Sequence, residues 1–155
     1  MLLAERHARR ILAWEPEWLN AEGLADALRR AGTTIESCWL PAGSAERTAR
    51  LLEIDDVLVG LTGAAGALAD TGSLALVSGP GRGRIASLLP PVHIAIVRAG
   101  QLYPSLPHFL AAQPAITDHG SNLVLITGPS RTADIEMTLT RGVHGPGEVI
   151  VIIIG

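Results

Sequence analysis

The fold is decided by residues 10–40, which read RILAWEPEWLNAEGLADALRRAGTTIESCWL. Residues 10–14 are mostly apolar and predict a buried strand. Asn20 is expected to cap the helix that follows, in which apolar residues recur at i, i+3, i+4 and i+7 until Gly32 ends it. Residues 33–39 predict a second strand. A strand, a helix and a strand in this order predict parallel pairing through a right-handed crossover.

The same alternation of strand and helix patterns continues to the end of the chain. Ser44 is expected to cap a helix that runs to about Ile54. Further strands are predicted over residues 56–61, 72–78, 92–97, 123–127 and 148–154, and further helices over residues 85–89, 104–112 and 131–139. Since no internal repeat or linker separates these elements, we expect a single domain over residues 1–155, of the α/β class with a mostly parallel central sheet.

Composition argues against several classes of protein. The chain has 155 residues, 48% of them hydrophobic and 3% aromatic, with a net charge of -3. A mildly acidic chain without a long basic run is not expected to bind nucleic acid. Its apolar runs are too short for a membrane span, and residues 1–10 do not resemble a signal peptide, so a cytoplasmic protein is expected. Cys38 is the only cysteine, so this chain cannot build an internal disulfide or an iron–sulfur site by itself.

The segment 127–136 is the first candidate site. A predicted strand is followed directly by Gly128, Pro129, Ser130, Arg131 and Thr132. If Ser130 begins a helix, the backbone N–H groups at the helix start can bind a phosphate or carboxylate, and the two residues after it add side-chain donors. The alternative is that Ser130 only caps the helix, and that Asp134 and Glu136 only favour its positive end.

The loop at residues 142–146 is the second candidate site. It consists of Gly142, Val143, His144, Gly145 and Pro146. Glycine permits close approach of a ligand to the backbone, and an imidazole can carry a proton, donate a hydrogen bond or bind a metal. The alternative is that His144 only hydrogen-bonds its own loop. His144, Glu136 and Asp134 are the candidates for a catalytic role.

Two further glycine-containing segments complete the candidate sites. One is the turn formed by Asp70, Thr71 and Gly72, and the other is the loop at residues 79–84. Arg82 and Arg84 can clamp an anion, or the loop can simply be solvated. Residues 81–86 also match the pattern GxGxxA, but they lack the placement of a dinucleotide fingerprint, which discounts that reading.

The remaining reactive residue types have structural interpretations. His93 lies in an apolar strand pattern and is interpreted as a core histidine. Cys38 is interpreted as a small core residue. The sequence contains no HExxH pattern and no GxSxG nucleophile elbow, so neither a metal site nor a serine hydrolase is predicted.

The motifs at residues 69–74 (ADTGSL), 87–94 (SLLPPVHI), 127–136 (TGPSRTADIE) and 142–146 (GVHGP) resemble in order and spacing those of the LUD domain. This is the lactate-utilisation protein C family, also called YkgG-like. The resemblance implies a three-layer sandwich similar to ribose-phosphate isomerase, glucosamine-phosphate deaminase and the CoA transferases. The family usually has a longer N-terminal segment, so that segment is expected to be shortened or missing.

The resemblance also implies a function. Family members serve bacterial L-lactate utilisation, in which lactate is oxidised to pyruvate together with iron–sulfur partner proteins. The clusters are therefore expected on partner subunits, with no cofactor bound by this chain. The first hypothesis is an accessory subunit that binds a small carboxylate or a nucleotide-type anion. The alternatives are a stand-alone enzyme of the isomerase or acyl-transferase group and a scaffold that docks the partners, and a homo-oligomer stays open.

Overall fold

The computed structural model describes residues 3, 6, 8–118, 120–129, 131–133, 139–141 and 145–155, with residues 131–133 and 139–141 described by their backbone alone. The strands, in chain order, are β1 (Arg10–Ala13), β2 (Thr34–Ser37), β3 (Val59–Gly63), β4 (Gly66–Leu68), β5 (Ser73–Ser78), β6 (Val92–Arg98), β7 (Leu102–Tyr103), β8 (Asn122–Ile126), β9 (Arg131–Ala133), β10 (Leu139–Arg141) and β11 (Glu148–Ile154). The α-helices are α1 (Leu24–Arg30), α2 (Ser44–Glu53) and α3 (Leu106–Ala112), and short 3-10 helices occur at Pro16–Trp18, Arg84–Ser87 and Ala99–Gln101.

A parallel sheet forms the centre of the molecule, in the strand order β11-β6-β3-β1-β2. β1 lies between β2 and β3, with Ile11 opposite both Ile35 and Val59. Every residue of β3 is buried, as expected for a central strand that is covered on both faces. The predicted α/β class with a mostly parallel central sheet is therefore confirmed, as is the parallel pairing predicted from residues 10–40.

A second sheet, in the order β7-β4-β5-β8, packs beside the first. β5 pairs antiparallel with β4 and β8. Leu74 and Leu76 of β5 belong to the main hydrophobic core, whereas Ala75 packs with Phe109 of α3. Because successive residues of a strand point to opposite faces, the second sheet lies between the main core and α3. The strand predicted over residues 72–78 thus exists but lies outside the central sheet.

Most predicted helices occur close to their expected positions. α2 begins at Ser44 itself, and Gly43 occupies the cap position without a side-chain cap bond. The helix predicted over residues 104–112 corresponds to α3, and that over residues 85–89 corresponds to the 3-10 helix Arg84–Ser87. Within the described part of the chain, no helix is both long and apolar enough to span a membrane.

Asn20 does not cap α1, which corrects the prediction made from the sequence. Gly23 precedes α1 directly, with a φ of 73°, whereas Asn20 lies further upstream and has a φ of 61°. The Asn20 side-chain amide donates to the carbonyl oxygens of Ala64 at 2.7 Å and Ile96 at 3.0 Å. Asn20 therefore ties the segment before α1 to residues next to β3 and in β6, and these long-range bonds replace a local cap.

The helix predicted over residues 131–139 is wrong at its described residues, 131–133 and 139, which lie in strands, and residues 134–138 lie outside the described part of the chain. β9 and β10 pair antiparallel, with Thr132 opposite Thr140 and Ala133 opposite Leu139. Threonine is β-branched and favours strands. The helix prediction gave more weight to Ser130 as a cap than to these threonines. The backbone at residues 131–133 is extended, so it does not provide the helix start that was expected to bind an anion.

Candidate functional site

The loop at residues 79–83 is fixed to the end of β1 by backbone and side-chain hydrogen bonds. The N–H of Glu15 donates to the Gly81 carbonyl at 2.9 Å. The Trp14 indole Nε1 donates to the Gly83 carbonyl at 3.1 Å. Gly81 has a φ of 69°, a conformation that glycine adopts at little cost. The loop therefore packs over the point where β1 ends, and the carboxyl ends of parallel strands are where open α/β sheets bind ligands.

Cys38 fixes the same loop to the end of β2. The N–H of Gly83 donates to the Cys38 sulfur at 3.1 Å, and the thiol donates a long hydrogen bond to the Gly81 carbonyl at 3.9 Å. A Cβ atom at Gly83 would overlap the Cys38 carbonyl oxygen. Burial raises the pKa of the Cys38 thiol, which keeps it protonated and unreactive at neutral pH. The interpretation of Cys38 as a small core residue is confirmed.

Arg82 is buried within this loop. Its side chain is 8% exposed, and its guanidinium carbon lies 3.9 Å from the centre of the Trp18 ring. Burial lowers the Arg82 pKa, although a guanidinium stays charged over the physiological range. The backbone of Arg82 exchanges two hydrogen bonds with Gly79, which closes the turn. The predicted pair of arginines is thus divided, since Arg82 lies on Trp18 while Arg84 is exposed.

A cavity of about 950 Å³, which we call the outer cleft, opens beside this loop. Its lining includes Trp18, Trp39, Arg47, Arg82, Arg84 and Leu88. These residues come from the connections after β1 and β2, from α2 and from the residues between β5 and β6. The outer cleft therefore combines indole rings with positive charge at the carboxyl end of the central sheet.

A smaller cavity of about 230 Å³, the inner cleft, adjoins the outer cleft through shared residues such as Arg84 and Leu88. Its polar and turn-forming lining includes Arg84, Ser87, Thr127, Gly128 and Gly145. Arg84, Gly128 and Gly145 come from three separate candidate segments, and the structure brings them together. Gly128 has a φ of 95°, and no atom of the described residues lies within 4 Å of the position a Cβ would take, so the turn presents open backbone there.

The turn formed by Asp70, Thr71 and Gly72 lines neither cleft. It is connected to the inner cleft through hydroxyl groups instead. The Thr71 hydroxyl bonds to the Ser73 hydroxyl at 2.8 Å, and Ser73 bonds to the Thr127 hydroxyl at 2.7 Å. This turn therefore supports the end of β8 from behind, and its direct contact with a ligand stays a prediction.

Several predicted site residues lie outside the described part of the chain. They are Ser130, Asp134, Glu136, Gly142 and His144. The side chains of Arg131 and Thr132 are also outside it, and the half-buried Pro129 lines neither cleft. The roles proposed for these residues stay predictions. The candidate segments belong to two different sheets, since Thr127 follows the second sheet whereas the loop at residues 79–83 packs on the parallel one.

The sequence analysis missed two residues of the outer cleft, Trp39 and Arg47. Trp39 lies just beyond β2, and Arg47 lies in the first half of α2. A usable signal was present, because residues that follow parallel strands gather at one edge of a sheet. Trp39 is the last residue of the strand predicted over residues 33–39, at its carboxyl end, whereas the approach of α2 to that edge depends on the folded chain.

His93 is a core residue, as predicted. It is fully buried, and its Nε2 lies 2.9 Å from the Thr62 hydroxyl. Burial lowers the pKa of His93 to about 4, so the ring is neutral at pH 7. His93 lines neither cleft. In the residues that the structure describes, no group of three or more metal-ligating side chains is found.

A third cavity, of about 920 Å³, lies beside α1. It is lined mainly by aliphatic side chains, among them Leu24, Leu28, Ile94, Ile96 and Ile152. Arg9 and Thr33 also line it, but none of the segments predicted as candidate sites does.

Comparison with known proteins places this arrangement in a family. The family model of the LUD domain matches residues 2–154. Lactate utilization protein C of Halalkalibacterium halodurans is 35% identical over 149 residues, which are 94% of this chain and 62% of that protein. A protein of the same name from an Exiguobacterium species is 38% identical over 160 residues, which are 99% of this chain and 65% of that protein.

The fold also has a solved counterpart. The crystal structure of a DUF162 family protein from Deinococcus radiodurans superimposes with a TM-score of 0.54 and 25% identity, over 99% of this chain and 92% of that one. This chain spans less than two thirds of the length of the two relatives named above. Because the family model matches nearly every residue and the relatives align over nearly the whole chain, this chain belongs to the LUD domain family.

Proposed function

We propose that this chain is a component of lactate utilisation that binds a small carboxylate, such as lactate or pyruvate, in the inner cleft. Similarity to proteins named lactate utilization protein C supports the process. The ligand class rests on one observation, which is that Arg84, Gly128 and Gly145 line a single cavity of about 230 Å³.

The chemistry of the inner cleft suits such a ligand. The planar fork of the Arg84 guanidinium can bind both oxygens of a carboxylate. The Thr127 hydroxyl can accept from or donate to the hydroxyl or keto oxygen of the ligand, and the aliphatic side chains of Leu76 and Leu88 can receive its methyl group. Sites for drug-sized ligands measure roughly 300–1,000 Å³, so this smaller cavity fits a ligand of few heavy atoms.

Oxidation of lactate to pyruvate removes a pair of electrons and two protons, so it needs an electron acceptor. Cys38 is the only cysteine of this chain, and a cluster needs several cysteine ligands. We therefore place the acceptor on iron–sulfur partner proteins. In this proposal the present chain is the accessory subunit that holds the carboxylate.

Calorimetric titration of the full chain with L-lactate and pyruvate tests the proposal. Arg84→Gln should weaken binding roughly tenfold or more, because a charge-assisted hydrogen bond is removed. Arg30→Gln is the matched control, since Arg30 is an exposed arginine at the end of α1. Equal affinities for Arg84→Gln and the unmodified chain, or no binding of either acid up to about 10 mM, would reject it.

A further inference from the structure

The tryptophans of this chain gather at one end of the parallel sheet. The sequence has only 3 Trp, 1 Tyr and 1 Phe. Trp14 directly follows β1, Trp18 lies in the 3-10 helix after it, and Trp39 lies just beyond β2. A chain with so few aromatic residues thus places all of its indoles around the outer cleft or immediately beneath it.

The three indoles differ in their contacts and in their exposure to solvent. Trp14 is buried, and its N–H bonds to the Gly83 carbonyl. One face of Trp18 is occupied by the Arg82 guanidinium. Trp39 is 68% exposed and lines the outer cleft. Packing thus explains Trp14 and Trp18, whereas the ring of Trp39 offers an open surface for stacking.

Positive charge accompanies this exposed ring. Arg47 and Arg84 are exposed and line the same cleft. Neither forms an ion pair with a carboxylate in the described ranges of the chain, whereas the nearby Arg10 and Arg50 are both paired with Glu36. Arg47 and Arg84 are therefore available to an anion in the cleft.

We propose that the outer cleft binds a nucleotide, with its base stacked on Trp39 and its phosphate bound by Arg47. Aromatic side chains stack on any base, and arginine recognises phosphate through paired N–H donors. The volume of about 950 Å³ lies within the range of roughly 300–1,000 Å³ that is usual for larger ligands, and it far exceeds what lactate needs.

The acidic side chains of the outer cleft fit the same ligand. Glu15 and Glu17 line it at the end of β1. Carboxylates accept hydrogen bonds from ribose hydroxyls in other α/β proteins that bind nucleotides at this edge of the sheet. They also disfavour a ligand that is negatively charged throughout, so the expected occupant has a charged end and a neutral, hydroxyl-bearing end.

Calorimetric titration of the full chain with AMP, GMP, CMP and UMP is the first test. At least one of them should bind with a Kd below about 1 mM. For the tightest of them, the matching nucleoside and ribose 5-phosphate should each bind at least tenfold more weakly, because each lacks one of the two recognised groups. Failure of all four nucleotides to bind would overturn the proposal.

Two variants assign the two contacts. Trp39→Ala should weaken the nucleotide about tenfold and leave ribose 5-phosphate unchanged, because only the stack is lost. Arg47→Gln should weaken the nucleotide and ribose 5-phosphate but not the nucleoside. Leu52→Ala is the matched control for Trp39, since Leu52 is a 73% exposed apolar residue of α2 outside the cleft. Circular dichroism and thermal melting establish that each variant is folded.

The outcome is separable from the test of lactate binding. Trp39→Ala and Arg47→Gln should leave the affinity for L-lactate unchanged, because neither residue lines the inner cleft. If Trp39→Ala leaves nucleotide affinity unchanged, the stacking assignment fails even if lactate binds. If Trp39→Ala abolishes association with a partner protein while no nucleotide binds, the outer cleft is a protein-docking surface and the proposal is overturned.

Discussion

The loop at residues 79–83 and the turn at residues 127–129 both border the clefts, yet they are held very differently. The loop rests on the ends of two parallel strands and receives hydrogen bonds from Trp14, Glu15 and Cys38. The turn follows β8, which lies at the edge of the second sheet. Among its described side chains, Thr127 forms a hydrogen bond to Ser73.

This difference separates two tasks within one site. The loop forms a fixed floor for the outer cleft, because its position is determined by the central sheet. The turn forms one wall of the inner cleft and depends on fewer bonds in the described chain. We therefore expect changes at the loop to affect the stability of the whole fold, and changes at the turn to affect mainly ligand binding.

Lowering the pH should have the largest effect on stability, because it tests the packing of the central sheet beneath the segment that follows the loop at residues 79–83. His93 lies opposite Gly60 in the sheet, and the Ala86 carbonyl of the 3-10 helix rests against Gly60. The folded-state pKa of His93 is about 4, below the unfolded value of 6.5. The unfolded chain therefore takes up a proton that the folded chain excludes, so stability should fall as the pH falls from 6.5 to 4, by up to about 3 kcal/mol.

Urea unfolding at a series of pH values measures this loss. His93→Gln keeps a hydrogen-bonding group near Thr62 but cannot titrate, so its stability should change less over this pH range. His108→Gln is the control, because His108 is exposed on α3. An unchanged pH dependence in His93→Gln would show that other groups cause the acid sensitivity.

Gly83→Ala should distort the loop at residues 79–83 and have the next largest effect on stability. The added methyl group would overlap the Cys38 carbonyl oxygen, which belongs to the backbone and cannot rotate away. Overpacking of this kind should lower the free energy of unfolding by about 2 kcal/mol. Urea unfolding checks this value, and full stability in Gly83→Ala would mean that the loop is not fixed against β2 as described.

Gly128→Ala should have the smallest effect on stability. It sharpens the contrast between the loop at residues 79–83 and the turn at residues 127–129. Among the described residues the methyl group meets nothing within 4 Å, and only the φ of 95° resists substitution. The expected cost is about 1 kcal/mol. The same urea measurement applies, with lactate titration alongside it. A loss of stability larger than that of Gly83→Ala would contradict the conclusion that the loop at residues 79–83 is held more firmly than the turn at residues 127–129.

The inner strands β1, β3 and β6 of the central sheet were predictable because they are covered on both faces. Such strands are nearly continuous apolar runs, as at residues 10–14 and 92–97, and they need no knowledge of their partners to be recognised. The hairpin at β9 and β10 is different. Its backbone conformation depends on cross-strand pairing, which a local capping pattern at Ser130 does not reveal.

Part of the lining of the inner cleft was predictable as well. Gly128, Gly145 and Arg84 were identified because glycine turns after strands are typical of ligand sites, and the structure brings them together. Arg47 was missed because its relevance depends on α2 lying near the end of β2, whereas Trp39 was missed although its place at the end of a predicted strand offered a signal. The positions predicted at Ser130 and His144 stay predictions.

The placement of the indoles gives this protein a built-in optical probe. Nearly all of its near-ultraviolet emission must come from Trp14, Trp18 and Trp39, since the chain has a single tyrosine elsewhere. Because the emission wavelength of an indole depends on its exposure to water, a ligand that covers the exposed ring of Trp39 should shift the emission spectrum. Binding of a ligand at the carboxyl end of the central sheet can therefore be followed by the intrinsic fluorescence of the unlabelled protein.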